Sequence, residues 1–175
     1  LGVVPQNIAP GDLYPALERG TIDAAEFTVP ADDEKLGLHR VAKNYYYPGF
    51  WEGGAMMHLC VNLDAWSKLP KHYQAALQSA CEVANNNMLG RFDALNPAAL
   101  KRMISQGTEL KAFPLPIMEA SLKAANELYA EIAGKNESFK KALDSYNNFR
   151  GEALLWWQVG EYSFDNFMVR TKGRA

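Results

Sequence analysis

Apolar side chains recur along much of the chain at the spacing of amphipathic helices, in which every third or fourth residue lies on one face. One such series is Tyr73, Leu77, Ala80, Ala84 and Met88. Proline at a first helical position and glycine just after a last one mark several helix ends. The predicted helices are 12–19, 32–38, one from Pro70 onward, 96–106, 116–134 and a very long pattern over 136–170.

Shorter segments have the composition of strands. Residues 41–47 are rich in aromatic side chains and end at Pro48 and Gly49, a turn signal. Residues 55–61 are mostly apolar, which is typical of a strand covered on both faces. The predicted strands are 21–25, 41–47, 55–61 and 108–113. Because strands and helices alternate along the chain, the pattern predicts an α/β fold.

The last pattern, 136–170, leaves two alternatives open. Asn136 is a predicted helix cap, and either Gly151 or Gly160 can bend or break the helix. An unbroken helix would be about 52 Å long and would extend beyond a globule of this chain length. It carries more large apolar residues than one stripe needs, so it would join a partner chain. A helix broken at glycine would instead fold back on its own lobe.

The composition limits the classes of function. The 175 residues are 48% hydrophobic and 22% charged, with a net charge of -2 at pH 7, as in ordinary globular proteins. The sequence has no basic stripe with interleaved aromatic residues, which argues against a nucleic-acid partner. It has no apolar run of the roughly 18 residues that a membrane span needs. Cys60 and Cys81 permit one disulfide, although two small buried thiols are the commoner case.

The first residues of the sequence, 1–5, resemble the middle of a domain. They include neither an initiator Met nor a charged segment followed by an apolar leader. We therefore expect a cleaved product or the C-terminal part of a longer protein.

The sequence nominates no catalytic residue. His39, His58 and His72 do not have the spacing of a metal site or a catalytic triad. It contains no nucleophile elbow, Cys-x-x-Cys pair, phosphate-binding loop or dinucleotide fingerprint. We expect a protein that is not an enzyme, with each histidine on the surface or in a hydrogen-bonded core.

Two carboxylates have unusual neighbours. Glu26 follows an apolar segment and precedes Phe27, and Glu52 lies between aromatic residues and glycines in the run 50–54. Burying an unpaired carboxylate costs several kcal/mol, so such groups bind cations or pair with arginine. The alternative is that each acid pairs with a surface lysine or caps a loop, at ~0–1 kcal/mol.

Several aromatic residues near Glu52 are candidates for lining an apolar ligand pocket. They are Tyr45, Tyr46, Tyr47, Phe50 and Trp51. Because strand side chains alternate between two faces, only some of the tyrosines can face one side. Most are expected in the core of a lobe, and Trp51 is the strongest candidate for a ligand cleft.

Three blocks of sequence resemble the TRAP (tripartite ATP-independent periplasmic) transporter solute-binding proteins. They are Leu-Tyr-Pro-Ala-Leu-Glu-Arg-Gly-Thr-Ile-Asp-Ala-Ala-Glu (13–26), Val-Ala-Lys-Asn-Tyr-Tyr-Tyr-Pro-Gly-Phe-Trp-Glu (41–52) and Asn-Leu-Asp-Ala-Trp-Ser-Lys-Leu-Pro (62–70). The three tyrosines narrow the resemblance to the branch that binds 2-oxo and 2-hydroxy monocarboxylates such as pyruvate and lactate. The resemblance extends over nearly the whole chain.

The resemblance implies two α/β lobes joined by strands that cross a hinge, with this chain as the C-terminal part of such a periplasmic-binding-protein-like fold. Residues 1–25 and 63–135 would lie mainly in one lobe, 26–62 would cross to the other, and 136–175 would form a long C-terminal helix. Some members of the branch exchange this helix between two chains, which is a precedent for a homodimer. The protein would be periplasmic and would deliver a small carboxylate to the membrane permease subunits of the transporter. The alternative is a carboxylate-sensing module of a signalling system.

The resemblance also implies a metal ion beside the ligand carboxylate. In this branch a glutamate, the next residue's carbonyl, a second glutamate and an earlier glutamine hold the ion. Glu26, the carbonyl of Phe27 and Glu52 match the first three of these ligands. The family usually has Trp where Phe27 stands, which a carbonyl ligand tolerates. The family's ligand-binding arginine and its glutamine lie before the first residue of this chain, and Arg19 does not replace that arginine.

Charge arithmetic supports a cation in such a cleft. Glu26, Glu52 and a ligand carboxylate would bring together three negative charges, and each repelling pair costs about 3 kcal/mol at ~5 Å and an effective dielectric of ~20. One arginine offsets one charge, after which a monovalent ion leaves about one negative charge and a divalent ion leaves about none. All-oxygen ligands suit Na⁺ or Ca²⁺ rather than zinc, and both ions stay open.

Overall fold

The structure is a computed structural model that describes residues 1–54 and 57–171. The chain divides into two units, Gly2–Pro114 and Leu115–Ala175, the second of which includes Leu1. The first unit contains α1 (Pro10–Glu18), α2 (Pro30–Leu36), α3 (Leu38–Val41), β1 (Asn44–Tyr47), α4 (Leu63–Lys68), α5 (Lys71–Ser105) and β2 (Glu109–Ala112). The second unit contains α6 (Leu115–Ala133), α7 (Glu137–Val159) and α8 (Glu161–Thr171).

The two strands form a parallel sheet in which residues 44–47 pair with 109–112. The N–H of Phe113 extends the ladder by donating to the Tyr47 carbonyl (2.8 Å). Parallel strands need a crossover connection, which α4 and α5 provide here. The combination of helices and a parallel sheet confirms the predicted α/β class, although both strands are shorter than expected.

In the first unit α2 packs against the C-terminal part of α5, and polar contacts join the two helices. The N–H of Ala31 donates to Asn96 Oδ1 (3.1 Å), and Arg102 donates to both carboxylate oxygens of Glu34 (2.7 and 2.6 Å). The buried apolar residues are Leu13, Ala31, Leu38, Ala99 and Met103. This contact holds the start of α2, and therefore the segment just before it.

The structure corrects the prediction that Asn96 and Pro97 open a helix. α5 runs without interruption from Lys71 to Ser105, with Pro97 in its interior. An interior proline costs about 3 kcal/mol or more, so local packing has to offset it. The buried Ala99 follows Pro97 by two residues, and Asn96 bonds to α2 rather than capping its own helix.

Two predicted strands are wrong in the part of the chain that is described. Residues 21–25 and 57–61 have no strand structure, and the rest of the second prediction, 55–56, lies outside the described residues. A strand needs a neighbour for its backbone hydrogen bonds. Within the described ranges β1 and β2 pair only with each other, so neither segment has such a neighbour.

Several helix ends differ from the sequence expectation by a few residues. α1 begins at Pro10, so Asp12 lies in its first turn and does not cap it. Pro30 is the first residue of α2 rather than a break, a position that proline favours. Gly37, with φ of 74°, separates α2 from α3, so the predicted helix over 32–38 is two short helices. The backbone at Gly37 is left-handed, which glycine adopts without strain.

The C-terminal pattern is resolved into two helices. Asn136 caps α7 as predicted, with its side chain accepting from the Phe139 N–H (2.9 Å). Gly151 lies inside α7, whereas Gly160 separates α7 from α8. The longer of these helices has 23 residues, or about 35 Å, so a single unbroken helix over 136–170 is wrong.

Two further expectations concern the cysteines and the membrane. Cys60 and Cys81 are both free and exposed, so the expectation of two buried thiols is wrong. Cys60 lies in a loop and Cys81 on an exposed face of α5. In the part of the chain that the structure describes, no helix combines the length and the apolar character needed to cross a membrane.

Candidate carboxylate and cation site

Glu26 and Phe27 lie in the irregular segment between α1 and α2. The N–H of Asp33 donates to the Val29 carbonyl (3.0 Å), which closes the first turn of α2 just after this segment. In this position the Glu26 side chain is exposed and Phe27 is half-buried. Because α2 is held against α5, the path of the chain through Glu26 is held as well.

Trp51 and Glu52 lie in the loop after β1, and an aromatic cluster joins this loop to the end of β2. The ring centroids of Phe50 and Trp51 are 4.6 Å apart, and these rings meet Phe113 edge-on at 5.3 and 5.6 Å. Tyr46 stacks on Phe113 at 5.0 Å. Aromatic pairs of this kind contribute about 0.5–1.5 kcal/mol each beyond their buried area. The cluster therefore restricts where Glu52 can lie.

The Glu26 and Glu52 carboxylates are electrostatic neighbours. Although Glu26 is exposed overall, partial desolvation raises its pKa, and the negative charges of Glu52 and then Asp33 raise that pKa further. Hydrogen bonding from the Trp51 side chain opposes the rise because it favours the charged form. The pKa of Glu26 thus depends on Trp51 and Glu52, which lie in a different segment of the chain.

Asp33 and Tyr45 form a buried pair in the same region. The Tyr45 hydroxyl donates to Asp33 Oδ2 at 2.5 Å. Asp33 is only 6% exposed, and its Oδ1 has no hydrogen-bond partner in the described part of the chain. Desolvation raises the pKa of Asp33, and the bond from Tyr45 opposes that rise. Burial and the bond to Asp33 raise the pKa of Tyr45 far above its usual value, so its hydroxyl stays protonated.

The acids of this region carry negative charge that no basic side chain of the described residues pairs with. Among residues 1–54 and 57–171, no lysine or arginine forms an ion pair with Glu26, Glu52 or Asp33. The same residues contain no group of three or more His, Cys, Asp and Glu side chains arranged to hold a metal ion. Carboxylate oxygens such as those of Glu26 and Glu52 are the ligand type that suits Na⁺ or Ca²⁺.

Sequence reasoning missed two residues of this region. Asp33 was not among the candidate residues, and no sequence signal distinguishes it from the half-exposed Asp32. Phe113 ends the predicted strand 108–113. Pairing of this strand with the tyrosine-rich strand 41–47 would have placed Phe113 beside the tyrosines. Tyr45 bonds to Asp33 and Tyr46 stacks on Phe113, so the tyrosines have different surroundings as expected. The expectation that most of these aromatic residues lie in the core is wrong, because Tyr46 and Tyr47 are exposed and Tyr45 is only half-buried.

None of the histidines contributes to this site. His39 is buried, with its Nε2 2.9 Å from Oε1 of Gln106 at the end of α5. His58 and His72 are exposed. This agrees with the expectation that each histidine lies on the surface or in a hydrogen-bonded core.

Comparison with known proteins decides the family. Residues 1–136 match the bacterial extracellular solute-binding proteins, family 7. The chain belongs to this family. A monocarboxylate 2-oxoacid-binding periplasmic protein of Nostoc sp. is 44% identical to this family 7 protein over 167 residues, which are 95% of this chain and 46% of the relative. The resemblance of the three sequence blocks to TRAP solute-binding proteins is thereby confirmed.

Solved structures of TRAP solute-binding proteins are also similar to this family 7 protein. A Bordetella bronchiseptica protein is 44% identical with a TM-score of 0.92, over 99% of this chain and 52% of the other; it is described as a mixed-occupancy dimer with calcium and picolinate in one active site. A Colwellia psychrerythraea protein with calcium and pyruvate is 30% identical with a TM-score of 0.84, over 94% of this chain and 51% of the other. A Pseudoalteromonas atlantica protein with sodium and pyruvate is 32% identical with a TM-score of 0.89, over 94% of this chain and 50% of the other.

The family 7 chain spans about half the length of these relatives. The expected two-lobed fold, of which this chain is similar to one part, is confirmed by these structures.

Proposed function

We propose that this protein is the solute receptor of a TRAP transporter and binds a small 2-oxo or 2-hydroxy monocarboxylate together with Ca²⁺ or Na⁺. The observation that carries the proposal is the pair of neighbouring carboxylates, Glu26 and Glu52, which no lysine or arginine of the described residues balances. A cation would remove the repulsion between them and would attract a ligand carboxylate. Pyruvate with calcium or sodium in two relatives supports this choice of ligand and ion.

Each site residue has a role in the proposal. Glu26, the Phe27 carbonyl and Glu52 bind the ion, and Trp51 contacts the organic part of the ligand. Trp51 keeps 52% of its surface exposed although one edge packs on Phe113. A free indole face beside two carboxylates suits a ligand with one charged end and a short apolar tail.

The proposed role is transport rather than catalysis. The family and the relatives are binding proteins, and the site has acids and an aromatic face but no nucleophile with an adjacent base. The receptor works in the periplasm, closes two lobes over the ligand and delivers it to the membrane permease subunits. The assignment of 1–25 and 63–135 to one lobe and of 26–62 to a crossing segment stays a prediction.

Thermal unfolding of the full-length protein tests the proposal. After removal of bound metal, pyruvate and lactate are added with and without Ca²⁺ or Na⁺, and the neutral amide of pyruvate is the control. A ligand at 100 times its Kd stabilises the protein by about 2.7 kcal/mol, which raises the Tm by several degrees. The increase is expected only when carboxylate and cation are both present. An equal increase with the amide, or none with either ion, would contradict the proposal.

We also propose a homodimer formed through α7 and α8. Large apolar side chains of these helices are exposed: Phe149, Leu154, Leu155, Trp156, Trp157, Val159, Tyr162, Phe164, Phe167, Met168 and Val169. Apolar surface of this extent is typical of protein interfaces. The dimer described for the Bordetella bronchiseptica relative supports a second copy as the partner.

A further inference from the structure

A third carboxylate, Asp33, lies near the two proposed ligands of the ion. The residue is buried, with only 6% of its surface exposed. Tyr45 donates to one carboxylate oxygen at 2.5 Å, and the other oxygen, Oδ1, has no hydrogen-bond partner within residues 1–54 and 57–171. Buried polar atoms are hydrogen-bonded in the large majority of cases. The unpartnered oxygen of Asp33 is therefore a feature that the packing of α2 does not explain.

The backbone ties Asp33 to the segment that carries Glu26. Its N–H donates to the Val29 carbonyl (3.0 Å), three residues after Glu26. The carboxylates whose charges act on Glu26 are those of Glu52 and Asp33. The preceding residue, Asp32, instead pairs with Lys35 at 3.1 Å. Asp33 is thus a further negative charge that acts on Glu26, and no lysine or arginine of the described residues pairs with it.

The relatives leave the choice of ion open. The proteins from Bordetella bronchiseptica and Colwellia psychrerythraea contain calcium, and the one from Pseudoalteromonas atlantica contains sodium. Their shared fold therefore does not determine the charge of the ion. The charge surrounding the ion in each protein is a physical basis for a difference between them.

We propose that Asp33 determines which cation the site selects and favours Ca²⁺ over Na⁺. The inference rests on the proposed ion site of Glu26 and Glu52. Asp33 is not a ligand of the ion, and its carboxylate acts on the ion through space. Coulomb attraction is proportional to the charge of the ion, so at equal distance Ca²⁺ gains twice as much as Na⁺ from Asp33. Burial reduces the screening of that charge by water, and the bond from Tyr45 holds the carboxylate in place.

The test compares Asp33→Asn with the matched control Asp32→Asn. Both substitutions remove one negative charge at adjacent positions of α2, and asparagine at 33 keeps an oxygen that can accept from Tyr45. Calorimetry on the full-length protein with saturating pyruvate gives the Ca²⁺ affinity directly and the Na⁺ affinity by competition, at constant ionic strength. We expect Asp33→Asn to lower the ratio of Ca²⁺ to Na⁺ affinity at least about tenfold, and Asp32→Asn to change it by less than about threefold.

Two further variants separate charge from folding. Asp33→Glu keeps the charge, so its preference for Ca²⁺ should stay close to that of the unsubstituted protein. If Asp33→Asn does not fold, the double variant Asp33→Ala with Tyr45→Phe removes both members of the pair and carries the same expectation, since removing both partners avoids a buried unpaired group.

The outcomes also distinguish the two proposals. An unchanged affinity ratio in Asp33→Asn, or a loss of preference in Asp33→Glu equal to that in Asp33→Asn, overturns the role of Asp33 and leaves the ion site in place. If the unsubstituted protein binds neither ion in the presence of pyruvate, the proposed function itself is overturned.

Discussion

At the scale of single residues, Glu26, Glu52 and Asp33 carry negative charge that no lysine or arginine of the described residues pairs with. Glu26 is affected by partial desolvation and by the charges of Glu52 and Asp33, all of which raise its pKa. Exposed ion pairs elsewhere in the described chain, such as that of Glu109 with Lys111, show the ordinary arrangement. The contrast makes the acid pair the part of this surface most suited to a cation.

Glu52→Gln should weaken pyruvate binding by weakening the ion. The substitution removes one charge and preserves shape, and one unit charge at ~5 Å and a dielectric of ~20 is worth about 3 kcal/mol, or roughly 100-fold in affinity. The control is Glu109→Gln, which removes a glutamate that pairs with Lys111 at 2.8 Å on the surface. Calorimetry should find a large loss only for Glu52→Gln. An unchanged affinity with an unchanged cation dependence would remove Glu52 from the site.

Tyr45→Phe should destabilise the fold by about 1–3 kcal/mol, because the buried Asp33 carboxylate loses its hydroxyl donor. The bond from Tyr45 lowers the pKa of Asp33. Its contribution is therefore present when Asp33 is charged and is lost as the pH falls through the folded pKa of Asp33. The destabilisation should accordingly be larger at pH 7 than in acid.

Urea unfolding at several pH values measures this effect. Tyr46→Phe is the control, since phenylalanine preserves the stacking on Phe113, and it should cost less than about 0.5 kcal/mol. Equal losses in the two variants, or a Tyr45→Phe loss that does not depend on pH, would count against the buried pair.

At the scale of elements, the start of α2 is capped from another helix. The first N–H groups of a helix need acceptors from outside its own ladder. Val29 at the N-cap position provides no side-chain bond, and Asn96 of α5 accepts from the Ala31 N–H instead. The bidentate pair of Arg102 with Glu34 adds a second link between the two helices. Because α5 holds the start of α2, it also restricts the position of the preceding segment, which carries Glu26.

Asn96→Ala should cost about 1 kcal/mol of stability through the lost cap, reduced by several tenths because alanine favours the helical state of α5. It should also weaken cation binding, since α2 positions the Glu26 segment. Asn87→Ala on the same helix is the control, because Asn87 is exposed and its loss should be neutral or slightly stabilising. Urea unfolding and calorimetry give both readouts. If the two variants behave alike, the cap from α5 contributes nothing measurable.

At the scale of the whole molecule, the exposed apolar surface of α7 and α8 is the feature that favours a partner chain. Apolar residues there stay exposed in the described chain, and burying such surface stabilises an interface by about 25 cal/mol per Å² before the costs of association. Gly160 separates α7 from α8, so the C-terminal region is two helices rather than one continuous helix. Any exchange between copies would therefore involve a bent pair of helices.

The full-length protein should be a dimer at micromolar concentration by light scattering. Leu155→Lys puts a charge on the exposed apolar surface of α7 and should shift the protein towards monomer, since an unpaired charge is costly to bury in an interface. Asn147→Lys adds the same charge at an exposed polar position of the same helix and should leave the dimer intact. A monomer in the unsubstituted protein would end this proposal.

Local chemistry explains what the sequence by itself determined. Asn136 was predicted as a cap, and both it and Asn62 accept from N–H groups within their own helices. Gly107, with φ of 91°, ends α5 as expected. The α/β class was predictable because periodicity, caps and turn signals depend on residues a few positions apart. The family blocks were recognisable because each is a continuous run of sequence.

Only the tertiary structure decided the rest, because those features depend on contacts between distant residues. Asn96 caps α2 across 65 positions rather than opening its own helix. Asp33 is buried while the adjacent Asp32 is half-exposed, which follows from the position of Tyr45 on β1 and not from any pattern of acids. Residues 21–25 have the composition of a strand but no strand beside them, and a strand exists only when a neighbour completes its hydrogen bonds.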